Sequence, residues 1–140
     1  MMIMSRPLGW FWLIGITLLV WNVIGLIALM FDPATGFGDI SEMPETQQAL
    51  YAARPDYAYA GFVLATVAGT AACIALLLRR NIAQLLFVLS AIGLVLQNAW
   101  LFLDTSYLTA EVIGFQALVA GSVALGLWLA ATAKRRRWSR

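Results

Sequence analysis

YAYAGFVLATVAGTAACIALLLRRNIAQLLFVLSAIGLVLQNAWLFL, residues Tyr57 to Leu103, holds two long apolar runs, Tyr57–Leu78 and Ile82–Leu103, separated by Arg79, Arg80 and Asn81. Neither run contains Asp, Glu, Lys or Arg. A helix rises about 1.5 Å per residue, so about 20 apolar residues cross a hydrocarbon core about 30 Å thick. Both runs meet that length. The short connection leaves room only for a tight turn, which makes the two helices antiparallel neighbours.

Outward from this hairpin the same pattern recurs. Leu8–Phe31 and Val112–Ala133 are also apolar and free of charged side chains. The expected fold is all-α, a four-transmembrane-helix antiparallel bundle in a single membrane domain over residues 1–140, with spans at about 8–31, 57–78, 82–103 and 112–133. Composition agrees: 62% hydrophobic and 11% charged residues stand against about 45–50% and about 25% in soluble domains. The first span is longer than the roughly 7–15 residues of a signal-peptide core, and no small-x-small cleavage pattern follows it before Asp32, so it is retained as a helix.

Charge sets the direction. With four alternating spans, Arg6, Arg79, Arg80, Lys134, Arg135, Arg136, Arg137 and Arg140 fall on one side and only Arg54 on the other. Basic residues mark the cytoplasmic side, so both termini are expected there, in a bacterial inner membrane. Arg79, Arg80 and Lys134–Arg137 are expected to anchor this topology, with attraction to anionic lipid of about 1 kcal/mol per cation. All seven acidic residues lie opposite. Tyr51, Tyr57, Tyr59 and Tyr107 fall on that outer side, and Trp10, Trp12, Trp128 and Trp138 on or near the inner one, as aromatic belts require.

The outer loop, residues 32–56, is the one substantial extramembrane segment. Ser41 is placed to cap a short helix over Glu42–Ala53, with Pro44 in its first turn and Pro55 at its end. A helix this short is marginal alone in water, so it is expected to lie on the membrane surface through Met43, Leu50 and Tyr51.

Several chemistries lack their residues. With no histidine and Cys73 as the single cysteine, there is no ligand set for zinc or bis-histidine haem, no disulfide pair and no base for a nucleophile. No catalytic residue, metal or cofactor is expected, and the protein is read as non-enzymatic. A lipid-directed enzyme would have to use Asp32, Glu42 or Asp104, whose spacing specifies no site. The absence of an ionisable residue within the spans argues against proton-coupled transport. No soluble surface accompanies the basic tail, so nucleic acid is not an expected partner.

In lipid, small residues permit close helix approach and polar groups bond across helices. Gly61, Ala65 and Gly69 in the second span and Gly121 in the fourth are the expected packing positions; a homodimer seam is the other use of such residues. Asn22, Thr66, Thr70, Gln97, Asn98 and Gln116 form a second set. Given the alternating helix directions, they lie in the outer half of the bilayer, within one or two turns of one another in depth. Amides facing lipid would be left unpaired, so these faces should point inward. Two readings stay open: a neutral polar pocket open to the outside, or interhelical hydrogen bonds that fix register.

Trp21-Asn22 with Gly25, Met43-Pro44-Glu45 with Ala49-Leu50-Tyr51 and Pro55, Leu76-Leu77-Leu78-Arg79-Arg80, and Gln97 together resemble an uncharacterised family of small bacterial four-helix integral membrane proteins, some loosely labelled sugar transporters. The resemblance implies a solute but supplies no functional residues. The expected function is an accessory or interaction module that binds membrane lipids, a membrane protein partner or a second copy of itself. The alternative is a facilitator of a small neutral solute such as a sugar.

Overall fold

The computed structural model describes residues 5–140. Its helices are α1 (Gly9–Met30), α2 (Glu45–Ala53), α3 (Asp56–Leu77), α4 (Ile82–Leu103) and α5 (Ala110–Arg135), with two 3-10 turns between α1 and α2 and one between α4 and α5. Among the described residues, four helices, α1, α3, α4 and α5, are long and apolar enough to cross a membrane. The chain is a multi-pass helical membrane protein folded as an antiparallel bundle. One end of the bundle gathers the basic residues other than Arg54, with the C-terminus; the other carries the acidic residues, Arg54 and α2. These are called the basic end and the acidic end.

The long helices match the apolar runs, and α5 overruns its run at both ends. Polar flanks extend it: the Thr109 hydroxyl accepts from Val112 N at 3.2 Å, capping the first turn. The connection to α3 departs from expectation. Asp39, not Ser41, is the local cap; its carboxylate accepts from Ser41 N at 2.9 Å and Ser41 Oγ at 2.6 Å, closing a 3-10 turn over Ile40–Glu42. Pro44 is extended at φ −54°, ψ 147°, so α2 starts only at Glu45.

α3 is the central helix, packed between α1 and α4, with α5 against α4. The α3–α4 contact is the closest because glycines face each other: a Cβ on Gly61 would lie 2.5 Å from Gln97 N and 2.6 Å from Gly93 O. Ser90 Oγ donates to Ala65 O at 2.7 Å across the same seam. In lipid, such van der Waals contact and hydrogen bonding take over from the hydrophobic effect.

Towards the basic end the bundle is solid. Phe11 and Leu18 of α1, Cys73 and Leu76 of α3, Phe87 of α4 and Leu129 of α5 are all buried in one cluster. Trp138, beyond the last helix, completes it at 3% exposure. Its ring sits edge-on to Trp10 and Phe11, 5.4 and 5.6 Å away.

Two matching C-caps bring the tail to that position. Arg79 and Arg137 are left-handed, φ 60° and 56°. After α3, Arg80 N bonds Ala75 O at 2.8 Å and Arg79 N bonds Leu76 O at 2.9 Å; after α5, Trp138 N bonds Ala133 O at 2.7 Å and Arg137 N bonds Lys134 O at 3.2 Å. Both are Schellman motifs with arginine where glycine is usual. Arg79 then ties the end together, donating from Nε to Trp138 O at 2.6 Å and from Nη2 to Ser5 O at 2.8 Å.

Candidate functional site

Towards the acidic end the packing changes. α1 and α5 make little contact with each other, and a cavity of about 1120 Å³ opens between α1, α3, α4 and α5, with α2 across it. That is just above the usual range for small-molecule sites, about 300–1,000 Å³.

Five of the six polar residues singled out from the sequence line this cavity: Asn22, Thr66, Gln97, Asn98 and Gln116. Thr70 does not. It lies a turn deeper on α3, buried, and donates to Thr66 O at 2.8 Å. Ser90 and Ser122 join the wall, extending it about 18–20 Å inward from the acidic ends of their helices at about 1.5 Å per residue.

The hydrogen bonds of these groups run mostly back to backbone. Asn22 Nδ2 donates to Leu18 O at 2.9 Å and meets Cys73 Sγ at 3.4 Å. Thr66 donates to Phe62 O at 2.8 Å, Asn98 to Leu94 O at 2.9 Å and Ser122 to Val119 O at 2.7 Å. Gln116 differs: its Oε1 is buried and no described group donates to it. A buried acceptor without a donor is costly, so this atom marks where a ligand group would be welcome.

The rest of the wall is largely apolar, including Trp21, Ile24, Phe62, Phe115 and Val119. Among the described residues no cluster of three or more His, Cys, Asp or Glu could hold a metal.

At the mouth sits a feature the sequence reading missed. Asp32 caps the 3-10 turn that follows α1 and Arg54 follows α2, and the two form a bidentate pair at 2.7 and 2.8 Å, with Asp32 only 3% exposed. The guanidinium lies over the rings of Tyr51 and Tyr59, 4.9 and 5.2 Å from their centroids. The hydrogen bonds that Arg54 donates to Asp32 raise its pKa. Burial, followed by the nearby Asp32 charge, raises that of Tyr51 above its ordinary value. The expectation of a wholly neutral pocket is therefore corrected: Asp32, Arg54 and Glu111 line its opening. A single arginine among acidic residues was the available signal; its partner, more than twenty positions away, was not visible without the folded connection.

The ion pair also changes the role of α2. Leu50 does not turn to a membrane surface but packs against Ala58, Trp100 and Leu101, while Thr46, Gln47, Leu50 and Tyr51 face the cavity. α2 is a roof, pinned to α1 by Asp32–Arg54 and to α4 by Leu50.

Of the expected packing residues, Gly61, Ala65 and Gly69 lie in the α3 seams, Gly69 beside Asn22 and Ser90. Gly121 lies outside any seam, since a Cβ there would meet nothing within 4 Å. α5 has diverged from the bundle at that level, and its packed glycine is Gly126, against the Phe87 ring. Of the basic residues, Arg80 and Lys134–Arg137 are exposed, whereas Arg79 is engaged in the tail contacts above. Compared with known proteins, the chain matches no family model, no curated protein and no solved structure.

Proposed function

We propose that the chain is a non-enzymatic binding protein of a bacterial inner membrane, an accessory module that holds a small uncharged or lipid-like molecule in a pocket at its acidic end. In this reading the basic end is cytoplasmic, in line with the positive-inside rule, and the pocket opens on the other side. The observation that carries it is the contrast between the two halves: a cavity of about 1120 Å³ with amides and hydroxyls set in a largely apolar wall above a solid, aromatic-plugged floor. A blind pocket suits capture better than passage. Binding of a partner protein is a second use of the module.

A ligand that binds only the folded state raises the unfolding temperature. The protein in phosphatidylcholine nanodiscs should be stabilised by an uncharged pocket ligand, and Val119→Trp, which places an indole in the cavity, should abolish that shift. Equal response of both proteins across a ligand panel would remove the reading.

The rival is facilitated passage of a neutral solute, favoured by the depth to which Ser90 and Ser122 carry the cavity. It requires the Trp138 plug to move. Proteoliposome uptake should then be lost in Asn22→Leu and Gln97→Leu; uptake indifferent to both would eliminate it.

A further inference from the structure

We infer that the pocket is loaded sideways from the bilayer, through the gap between α1 and α5, by an amphiphile with an apolar chain and an uncharged hydroxylated head. This rests on the pocket reading above and names its ligand class.

Along the bundle axis the way in passes α2, tied down through Asp32–Arg54 and Leu50, and a polar, exposed rim that includes Thr46, Gln47 and Glu111. The side is open. Ile24 on α1 and Phe115 on α5 both line the cavity yet are 55% and 56% exposed, so the cavity reaches the flank of the bundle between them. Trp21 and Phe115 face each other there at 6.4 Å in a loose tilted contact. A flank built of apolar side chains on two membrane-spanning helices meets acyl chains, not water.

The wall chemistry selects the molecule. Trp21, Ile24, Phe115 and Val119 on α1 and α5 suit a hydrocarbon chain. A fully hydrated sugar would leave most of its hydroxyls unpaired against them. In the same cavity Gln97 and Asn98 of α4 and Gln116 of α5 offer uncharged polar groups. Gln116 Oε1, buried without a donor, asks for a hydroxyl or N–H, which a carboxylate cannot supply. Nothing at the site favours an anion either, because Arg54 is already paired with Asp32. A neutral lipid with a free hydroxyl, such as a diacylglycerol, has each required part. Gln116 sits about 9 Å below the start of α5 at about 1.5 Å per residue, just beneath the interface where such a hydroxyl resides.

The test uses the full chain in phosphatidylcholine nanodiscs with a diacylglycerol bearing a photoactivatable diazirine in one acyl chain. Labelling should concentrate on residues 21–28 of α1 and 112–123 of α5. Unlabelled diacylglycerol and octyl glucoside should compete, whereas glycerol, glucose and oleate should compete at least tenfold more weakly. Gln116→Leu should weaken capture about three- to tenfold, the loss of one neutral hydrogen bond, and Val119→Trp should abolish it. If glucose competes as well as octyl glucoside, the pocket reading stands and the sideways, amphiphilic loading is overturned. If oleate competes equally and Gln116→Leu is silent, the hydroxyl requirement is overturned. Labelling spread over the whole lipid-facing surface and unchanged by Val119→Trp overturns the inference. The pocket reading falls separately, if no ligand stabilises the wild type over Val119→Trp.

Discussion

At the residue scale, the Asp32–Arg54 pair governs the acidic end. A buried pair that loses one partner leaves an uncompensated charge, a cost of about 3–5 kcal/mol, whereas apolar replacement of both is often near neutral. Arg54 is partly exposed, so the lower end of that range applies. Arg54→Ala should reduce unfolding free energy in mixed micelles by about 3 kcal/mol and expose the α2 amides to hydrogen exchange, while Asp32→Leu with Arg54→Met should recover most of the loss. Additive penalties in that double mutant would show the pairing to be unimportant. Tyr51 supplies a pH dependence. Its phenol is held above its ordinary value of 10.0 chiefly by burial, so between that value and the folded pKa the unfolded chain releases a proton that the folded chain retains. Stability then falls as pH rises through that window. The alkaline loosening of α2 should be smaller in Tyr51→Phe, and an unchanged profile would refute the assignment.

At the scale of elements, glycine placement distinguishes seams from lipid-facing surface. A Cβ at Gly93 would press on Ala65 backbone, whereas at Gly114 and Gly121 it would meet nothing. Gly93→Ala should cost about 1–3 kcal/mol by overpacking and widen the α3–α4 hairpin. Gly114→Ala and Gly121→Ala should be neutral or stabilising by up to about 1 kcal/mol through helix propensity. Thermal unfolding of the three variants checks the contrast, and a stable Gly93→Ala would remove the close seam. The two helix C-caps give a second contrast. Arginine in the left-handed region is strained relative to glycine, so Arg137→Gly should stabilise by about 1 kcal/mol. Arg79→Gly should not, because the Arg79 side chain also bonds Trp138 O and Ser5 O. Equal responses at both positions would mean that those bonds contribute little.

At the scale of the molecule, the two ends are packed differently, one solid and one around a cavity. The basic end is closed by Trp138, which sits against Trp10 and Phe11 and is held by Arg79. Trp138→Ala should lower stability by about 3 kcal/mol or more, as for other buried aromatic truncations, with little effect on pocket binding at the far end. If the variant instead gains solute permeability in proteoliposomes, the tail is a gate and the passage reading takes precedence.

Much of this architecture was legible in the residues. The four spans followed from apolar length alone, because a bilayer admits few other solutions for such runs. The depth of Asn22, Gln97, Asn98 and Gln116 followed from helix rise and alternating direction. Whether those amides packed or lined a space was not legible, since helical periodicity says which residues share a depth but not how far apart two helices stand there. Divergence of α1 and α5 decided it, leaving Gly121 unpacked and Gln116 Oε1 without a donor. The pairing of Arg54 with Asp32 and the burial of Trp138 were likewise invisible in one dimension, where each read as an isolated charge or an interface aromatic. By itself the sequence determined that the chain has four helices long and apolar enough to cross a membrane, because that depends on local apolar length. Only the tertiary structure decided that one half is solid and the other hollow, because that depends on how side chains distant in the chain fill, or fail to fill, the space between helices.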